Sequence, residues 1–251
     1  MLLRTTILAI ALLTSGYLSA KVTEEESYSF ELSEGGRLSV SNVNGSITVT
    51  GGSGDSVEIV AIKTADNQKA LDGIEIEITN TADSIEIETD LPNSSRWFGG
   101  GNNGASVTYE IKVPASTNLD SVETVNGHVE VGGVLGDVQA ESVNGSLDLS
   151  GLAANASLST VNGSIDASFS RLEGQQKVKA ETVNGRVTIR IPKDSDVDIS
   201  ADTLNGGINA RDFGLETKKG FVGSDLNGSI GSGSARLNID TVSGSIKIRS
   251  N

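Results

Sequence analysis

The sequence predicts an all-β protein, a parallel β-helix-like solenoid that is single-stranded and winds about 18–22 residues into each coil. Three observations predict it. The first is a motif that keeps returning: SNVNGSITV opens near residue 41, and ETVNGHVEV, ESVNGSLDL, TVNGSIDA, ETVNGRVTI, DTLNGGINA, SDLNGSIGS and DTVSGSIKI follow. The second is its spacing, since the steps from Asn126 to Ser243 are 18, 18, 22, 21, 22 and 16 residues. A fixed period near 20 is the signature of a solenoid or regular array. The third is alternation around each motif, as in DVQAESVNGSLDLSG, where Val138, Ala140, Leu147 and Leu149 alternate with polar residues.

Each copy reads as strand, Asn-Gly turn, strand. Asn and Gly tolerate positive φ most readily, so a sharp turn through the left-handed region is expected there. Two connections use such a turn: a type I′ hairpin, which would make an antiparallel hairpin array, and the corner of a solenoid. The residue before Asn separates them. It is apolar in every copy (Val43, Val125, Val143, Val161, Val183, Leu204, Leu226 and Val242). A hairpin places that residue on the wet face, whereas a solenoid corner is expected to turn it inward onto its equivalents, which favours the solenoid. Coils stacked at ~4.8 Å would make the six copies from Asn126 to Asn227 a column about 30 Å long. Aligned amides at one corner are then expected to form a turn ladder of Asn44, Asn126, Asn144, Asn162, Asn184, Asn205 and Asn227, hydrogen-bonded along the stack.

The chain divides into three parts. Residues 1–20, MLLRTTILAIALLTSGYLSA, have one positive charge at Arg4, an apolar run from Ile7 to Leu13 and small residues before KVTEEE, the layout of a signal peptide cleaved after Ala20. Residues 21–115 are expected to form an N-terminal β region, the early coils, with strand patterns SVEIVAI, GIEIEIT, SIEIET and SVTYEIKVP, and KTADNQKALDG has room for one helical turn. There Ile74, Ile76, Ile78, Ile85 and Ile87 fall on one face and Glu75, Glu77, Glu86 and Glu88 on a solvated one. Residues 93–104 form a Gly-rich loop, and residues 116–251 are the VNG-repeat solenoid.

Composition narrows the function. The net charge is −14, and removing residues 1–20 takes away Arg4 and no acid, leaving 18 basic against 33 acidic residues, a net of −15. Nucleic acid and anionic lipid are poor partners for such a chain. Beyond residues 1–20 no segment is apolar and long enough to span a bilayer, so the mature chain is expected to have no transmembrane segment. Cysteine is absent, so stability rests on burial and hydrogen bonding without disulfides, which suits a bacterial envelope protein.

No catalytic residue, cofactor site or metal site is expected. One histidine, His128, and no cysteine exclude His/Cys metal clusters, no nucleophile elbow accompanies His128, and the aspartates do not recur at one motif position. Aromatic residues are 4% of the chain, and the exposed-aromatic candidates for a partner contact are Trp97 and Phe98 beside Arg96 in the Gly-rich loop.

On NVNGSITVTGGSGDSVEIVAIKTA, YEIKVPASTNLDSVETVNGHVEV and the VNG copies after them, residues 28–250 resemble the DUF4097-type family of bacterial secreted β-strand-repeat proteins, whose adhesin label is provisional. That resemblance implies a right-handed β-helix-like solenoid and no catalytic motif. The expected function is a non-enzymatic exported module, periplasmic or at the cell surface, that presents a repetitive face to a glycan or envelope protein. A self-associating structural protein is the alternative, and a polysaccharide-active β-helix enzyme is the third reading.

Overall fold

The computed structural model describes residues 21–91, 104–220 and 222–251. The expected signal peptide and Arg96, Trp97 and Phe98 lie outside them. The first strands are β1 (Val22–Glu31), β2 (Arg37–Asn44), β3 (Ile47–Gly52), β4 (Ser56–Ala65), β5 (Glu75–Asn80), β6 (Ser84–Asp90) and β7 (Ser106–Pro114). Paired short strands follow: β8 (Asn118–Asn126), β9 (Val129–Gly132), β10 (Val138–Asn144), β11 (Leu147–Leu152), β12 (Ala156–Asn162), β13 (Ile165–Phe169), β14 (Lys177–Asn184) and β15 (Val187–Ile191). The chain closes with β16 (Val197–Asn205), β17 (Ile208–Asn209), β18 (Lys218–Lys219), β19 (Ser224–Ile230), β20 (Ala235–Ser243) and β21 (Ile246–Ser250). The one helical turn expected near residue 68 is α1 (Gln68–Leu71), started by Asn67, whose side chain accepts from the Ala70 amide at 3.0 Å.

Two large sheets face each other. One is ordered β1-β4-β7-β3-β9-β11-β13-β15-β21-β17, the other β18-β19-β16-β20-β14-β12-β10-β8-β2-β6-β5. Their centres are parallel, built by β2–β3, β8–β9, β10–β11, β12–β13, β14–β15, β20–β21 and β16–β17, one strand of each pair in each sheet. Three of their four ends are antiparallel, where β4 pairs with β1 and β7, β5 with β6, and β19 with β16 and β18, and at the fourth β17 runs parallel to β21. The fold is therefore an all-β, solenoid-like stack with mixed sheets. Residues 21–115 supply the coil β2–β3, β6 and β7 paired parallel with its two strands, and β1, β4 and β5 added antiparallel beyond them.

Two expectations need correction. Coils do not stack in chain order, because β20 lies between β14 and β16. The copy at Asn227 makes no corner either. It runs straight through β19, antiparallel to β16, with Asn227 opposite Ser200. The coil at 235–250 takes the vacated place and matches β14 and β16 residue for residue, Ile239 against both Ala180 and Ala201.

The core lies between the sheets. On one side Ile47, Val129, Leu147, Ile165, Val187 and Ile246 stand in register, each no more than 1% exposed. On the other, Val122, Ala140, Leu158, Ala180, Ile239 and Ala201 alternate large with small down the stack, so each large side chain has small neighbours on the adjoining rungs. Each large side chain contributes about 1.5–3 kcal/mol of burial, and none does so without the coils above and below it. The sheet edges are guarded by charge: β5 exposes Glu75 and Glu77, and β1 carries Glu24, Glu25 and Glu26. Such edges resist strand addition.

Candidate functional site

The corner that repeats along the stack is built from four residue positions. Glycine is needed for proximity. A Cβ on Gly145 would lie 1.7 Å from the carbonyl oxygen of Gly127, and one on Gly163 would lie 1.9 Å from that of Gly145. The expected left-handed turn is thus corrected: among the motif glycines only Gly45 has positive φ, at 119°, and the others bend in ordinary backbone while stacking carbonyl on Cα. The residue two before Asn supplies the second element. Ser142 Oγ donates to Gly127 O at 3.1 Å, Thr160 Oγ1 to Gly145 O at 2.8 Å, Thr182 Oγ1 to Gly163 O at 3.0 Å and Thr203 Oγ1 to Gly244 O at 3.0 Å. In the first copy Asn42 Nδ2 reaches Gly45 O at 3.2 Å and Val107 O at 2.8 Å. These hydroxyls are buried, so the bonds satisfy groups that would otherwise be costly.

The Asn position is the third element. Asn126 Nδ2 donates to Asn44 Oδ1 at 2.8 Å, Asn144 to Asn126 at 2.9 Å, Asn162 to Asn144 at 2.9 Å and Asn184 to Asn162 at 3.0 Å. In register the stack continues through Ser243 to Asn205. Asn227 stands apart in β19, where its Oδ1 accepts from Ser200 Oγ at 3.1 Å. A second polar column, absent from the sequence reading, ties the strand starts: Asn118 Oδ1 accepts from the Asp137 amide at 2.9 Å, Asp137 Oδ1 from the Asn155 amide at 3.1 Å, and Asn155 Oδ1 from the Lys177 amide at 2.9 Å.

The fourth position is the one the sequence reading turned the wrong way. Val125, Val143, Val161, Val183 and Val242 are 40–41% exposed and Leu204 is 55% exposed. They point outward because β10 and its equivalents keep strict alternation up to the corner: Val138, Ala140 and Ser142 face in, so Val143 faces out. The result is an aliphatic row running along the stack on the outer face of the eleven-stranded sheet. Toward the β16–β19 end it becomes the floor of an open groove of ≈ 630 Å³ lined by Val161, Val183, Val242, Leu204 and Val222.

Two residues upstream on the same face runs a row of acids: Glu123, Glu141, Glu181, Asp240, Asp202 and Asp225 occupy matching register positions, with Ser159 between Glu141 and Glu181. Asp240 sits between Glu181 and Asp202. Partial burial, with repulsion from these two neighbours, holds its carboxyl above the usual range. Lys179 is 2.9 Å from Glu181, and the hydrogen bond to that carboxylate raises the ammonium's pKa. The acids form a line along the face, and among the described residues no three His, Cys, Asp or Glu side chains converge as metal ligands. His128 lies on the opposite sheet, 3.3 Å from Asp148. Among the described residues no helix is long and apolar enough to cross a membrane.

Stacked coils, a hydrogen-bonded corner and a ribbed outer face define a repeat-built β scaffold. The model of the Toastrack DUF4097 family, itself β-solenoid-like, matches residues 135–249. Over that stretch the chain is similar to this family. No curated protein matches the chain. Among solved structures, a protein from Clostridium sporogenes described provisionally as a cell adhesion protein is 19% identical, with a TM-score of 0.51 over 91% of this chain and 100% of that one. A provisional adhesin from Bacteroides fragilis is 10% identical, with a TM-score of 0.42 over 89% of this chain and 96% of that one. The first likeness is one of fold.

Proposed function

We propose that the protein is a non-enzymatic, adhesin-like binding module of the bacterial envelope that presents the outer face of its eleven-stranded sheet to a glycan or protein partner. One observation carries this reading: an aliphatic side chain is exposed at the same corner position in coil after coil, where solvent alone would favour a polar residue. The scaffold suits such work, because ladders at both ends of each strand hold the face at one fixed spacing. The layout of residues 1–20 supports export, and the adhesion descriptions of the similar structures agree with this role. Arg96, Trp97 and Phe98 are a second proposed contact, resting on sequence alone.

The test is retention of purified protein on immobilised glycans and envelope fractions. The Val143→Ser/Val161→Ser/Val183→Ser variant is expected to keep its melting temperature and lose at least tenfold in retention. Undiminished retention by that variant, with loss in Trp97→Ala/Phe98→Ala, would move recognition to the Gly-rich segment. Absence of retention for the unaltered protein would overturn the reading.

A further inference from the structure

The two rows of the ribbed face differ in chemistry, and together they select a kind of partner. We infer that this face receives a cationic amphipathic helix lying along the stack, its apolar side chains on the row containing Val143, Val161 and Val183 and its lysines or arginines over the row containing Glu141, Glu181 and Asp240. This deepens the binding-module reading and rests on it.

Geometry points to a helix. Rungs repeat every ~4.8 Å, while a helix returns an apolar side chain to one face about every 5.4 Å, so each turn meets one rung with ~0.6 Å of slip. The slip reaches half a rung after about four turns, which sets the matched segment near 15 residues. An extended strand laid along the same row repeats its side chains every ~6.6–7 Å and loses register within two rungs. The acid row lies two strand residues from the aliphatic row, about 7 Å away, within reach of a long basic side chain flanking the helix's apolar stripe.

Charge sets the sign of the partner. Glu181, Asp240 and Asp202 stand on adjacent rungs, and partial burial of Asp240, followed by repulsion from its two neighbours, raises its pKa. Lys179 already pairs with Glu181 at 2.9 Å, and a cation placed over Asp240 and Asp202 relieves the repulsion that remains. A second copy of the chain fits poorly, because it would bring acid row against acid row on molecules of net charge −14. The aliphatic row separates a helix from a simple polycation: it offers five valines and a leucine that only an apolar stripe can cover.

The experiment titrates purified protein into a fluorescein-labelled 15-residue helical peptide with Leu at i, i+3 and i+4 spacing flanked by Lys, read by anisotropy. Binding is expected, weakening at least tenfold from 0.05 to 0.5 M salt as screening shortens the reach of the charges. Glu181→Gln/Asp240→Asn should weaken it several-fold and flatten that salt dependence, and Val161→Lys/Val183→Lys should abolish it. Val161→Ser/Val183→Ser, a milder change, should weaken it at least fivefold with an unchanged melting temperature. Glu130→Gln, on the opposite sheet, should leave it unaltered. Three results each overturn the inference: no binding, equal binding by a peptide with Glu in place of Lys, or equal binding by the Val161/Val183 variants. If the peptide fails while the serine variants still lose retention on envelope material, the face remains a binding face and only the cationic helix is rejected.

Discussion

On the outer face of the ten-stranded sheet, Asp166 meets Arg190, Asp148 meets His128 at 3.3 Å and Glu58 meets Lys112 at 3.3 Å. On the outer face of the eleven-stranded sheet, Glu181, Asp240 and Asp202 line up beside one another, and an aliphatic row runs alongside. One repeat makes both faces, since the strand before each Asn-Gly enters one sheet and the strand after it enters the other. Charge pairing along the first face completes much of its own chemistry. Both faces set acids on adjacent rungs, Glu130, Asp148 and Asp166 on the first and Glu181, Asp240 and Asp202 on the second, where Lys179 pairs with Glu181 at 2.9 Å; what the second face adds is the exposed aliphatic row, apolar surface of the kind a partner covers.

The largest effect that would disturb this comparison is at the corner joining the two faces. Gly145→Ala places a methyl group against the Gly127 carbonyl, and rearrangement of backbone is the only relief, so a loss of about 3 kcal/mol or more is expected, at the upper end of overpacking costs. Urea unfolding would read it, and a loss below about 1 kcal/mol would show that the close approach is not required. A sharper contrast lies inside one motif. Val187, fully buried, and Val183, 41% exposed, are four residues apart. Val187→Ser should cost about 3 kcal/mol through lost burial and a buried hydroxyl, while Val183→Ser should stay within about 0.5 kcal/mol. Similar costs at both positions would mean that the outer valines serve stability, and the comparison of faces would fail.

The smallest expected effect concerns charge. The pKa of Asp240 is raised in the folded protein, so its charged form is penalised above that raised value and the penalty is absent below the ordinary carboxylate range. Asp240→Asn should therefore stabilise the protein at pH 7 by about 0.3 kcal/mol after solvent screening, and the gain should vanish as pH falls through the raised pKa to below the unfolded value. Melting curves at pH 7 and pH 3 would check it; a destabilised variant at pH 7 would show that the acid row is held by attractions and not by crowding.

Much of the scaffold is legible in the sequence, because period-two alternation and a period near 20 are direct imprints of strand and coil. The isoleucines of β6 are buried and the glutamates between them exposed, as the pattern requires. The orientation of Val143 was legible too, by counting from Ala140 through Ser142; the apolar character of the residue argued the other way, and strand geometry prevailed. The odd copy at Asn227 also carries its own mark. Where other repeats have Thr, Ser or, in the first copy, Asn two residues before the corner Asn, it has Asp225, which as a carboxylate has no proton to donate to a neighbouring glycine carbonyl. What the residues do not encode locally is the order of coils, since every corner fits every other. That order depends on β19 folding back over β16, a contact between distant parts of the chain.

The insertion of the 235–250 coil between its two predecessors also sets a timetable. Coils from 118 to 191 can add one after another, each docking on the coil just made, with short loops closed at each step. The coil at 197–209 has no such neighbour waiting, because the strand that joins it to the stack is β20, with Asp198 paired to Arg236. Until that strand arrives, β16 has only the antiparallel hairpin partner β19. The molecule therefore combines sequential growth over most of its length with a closing step that locks three strands at once, and that step is expected to be the slow phase of its folding.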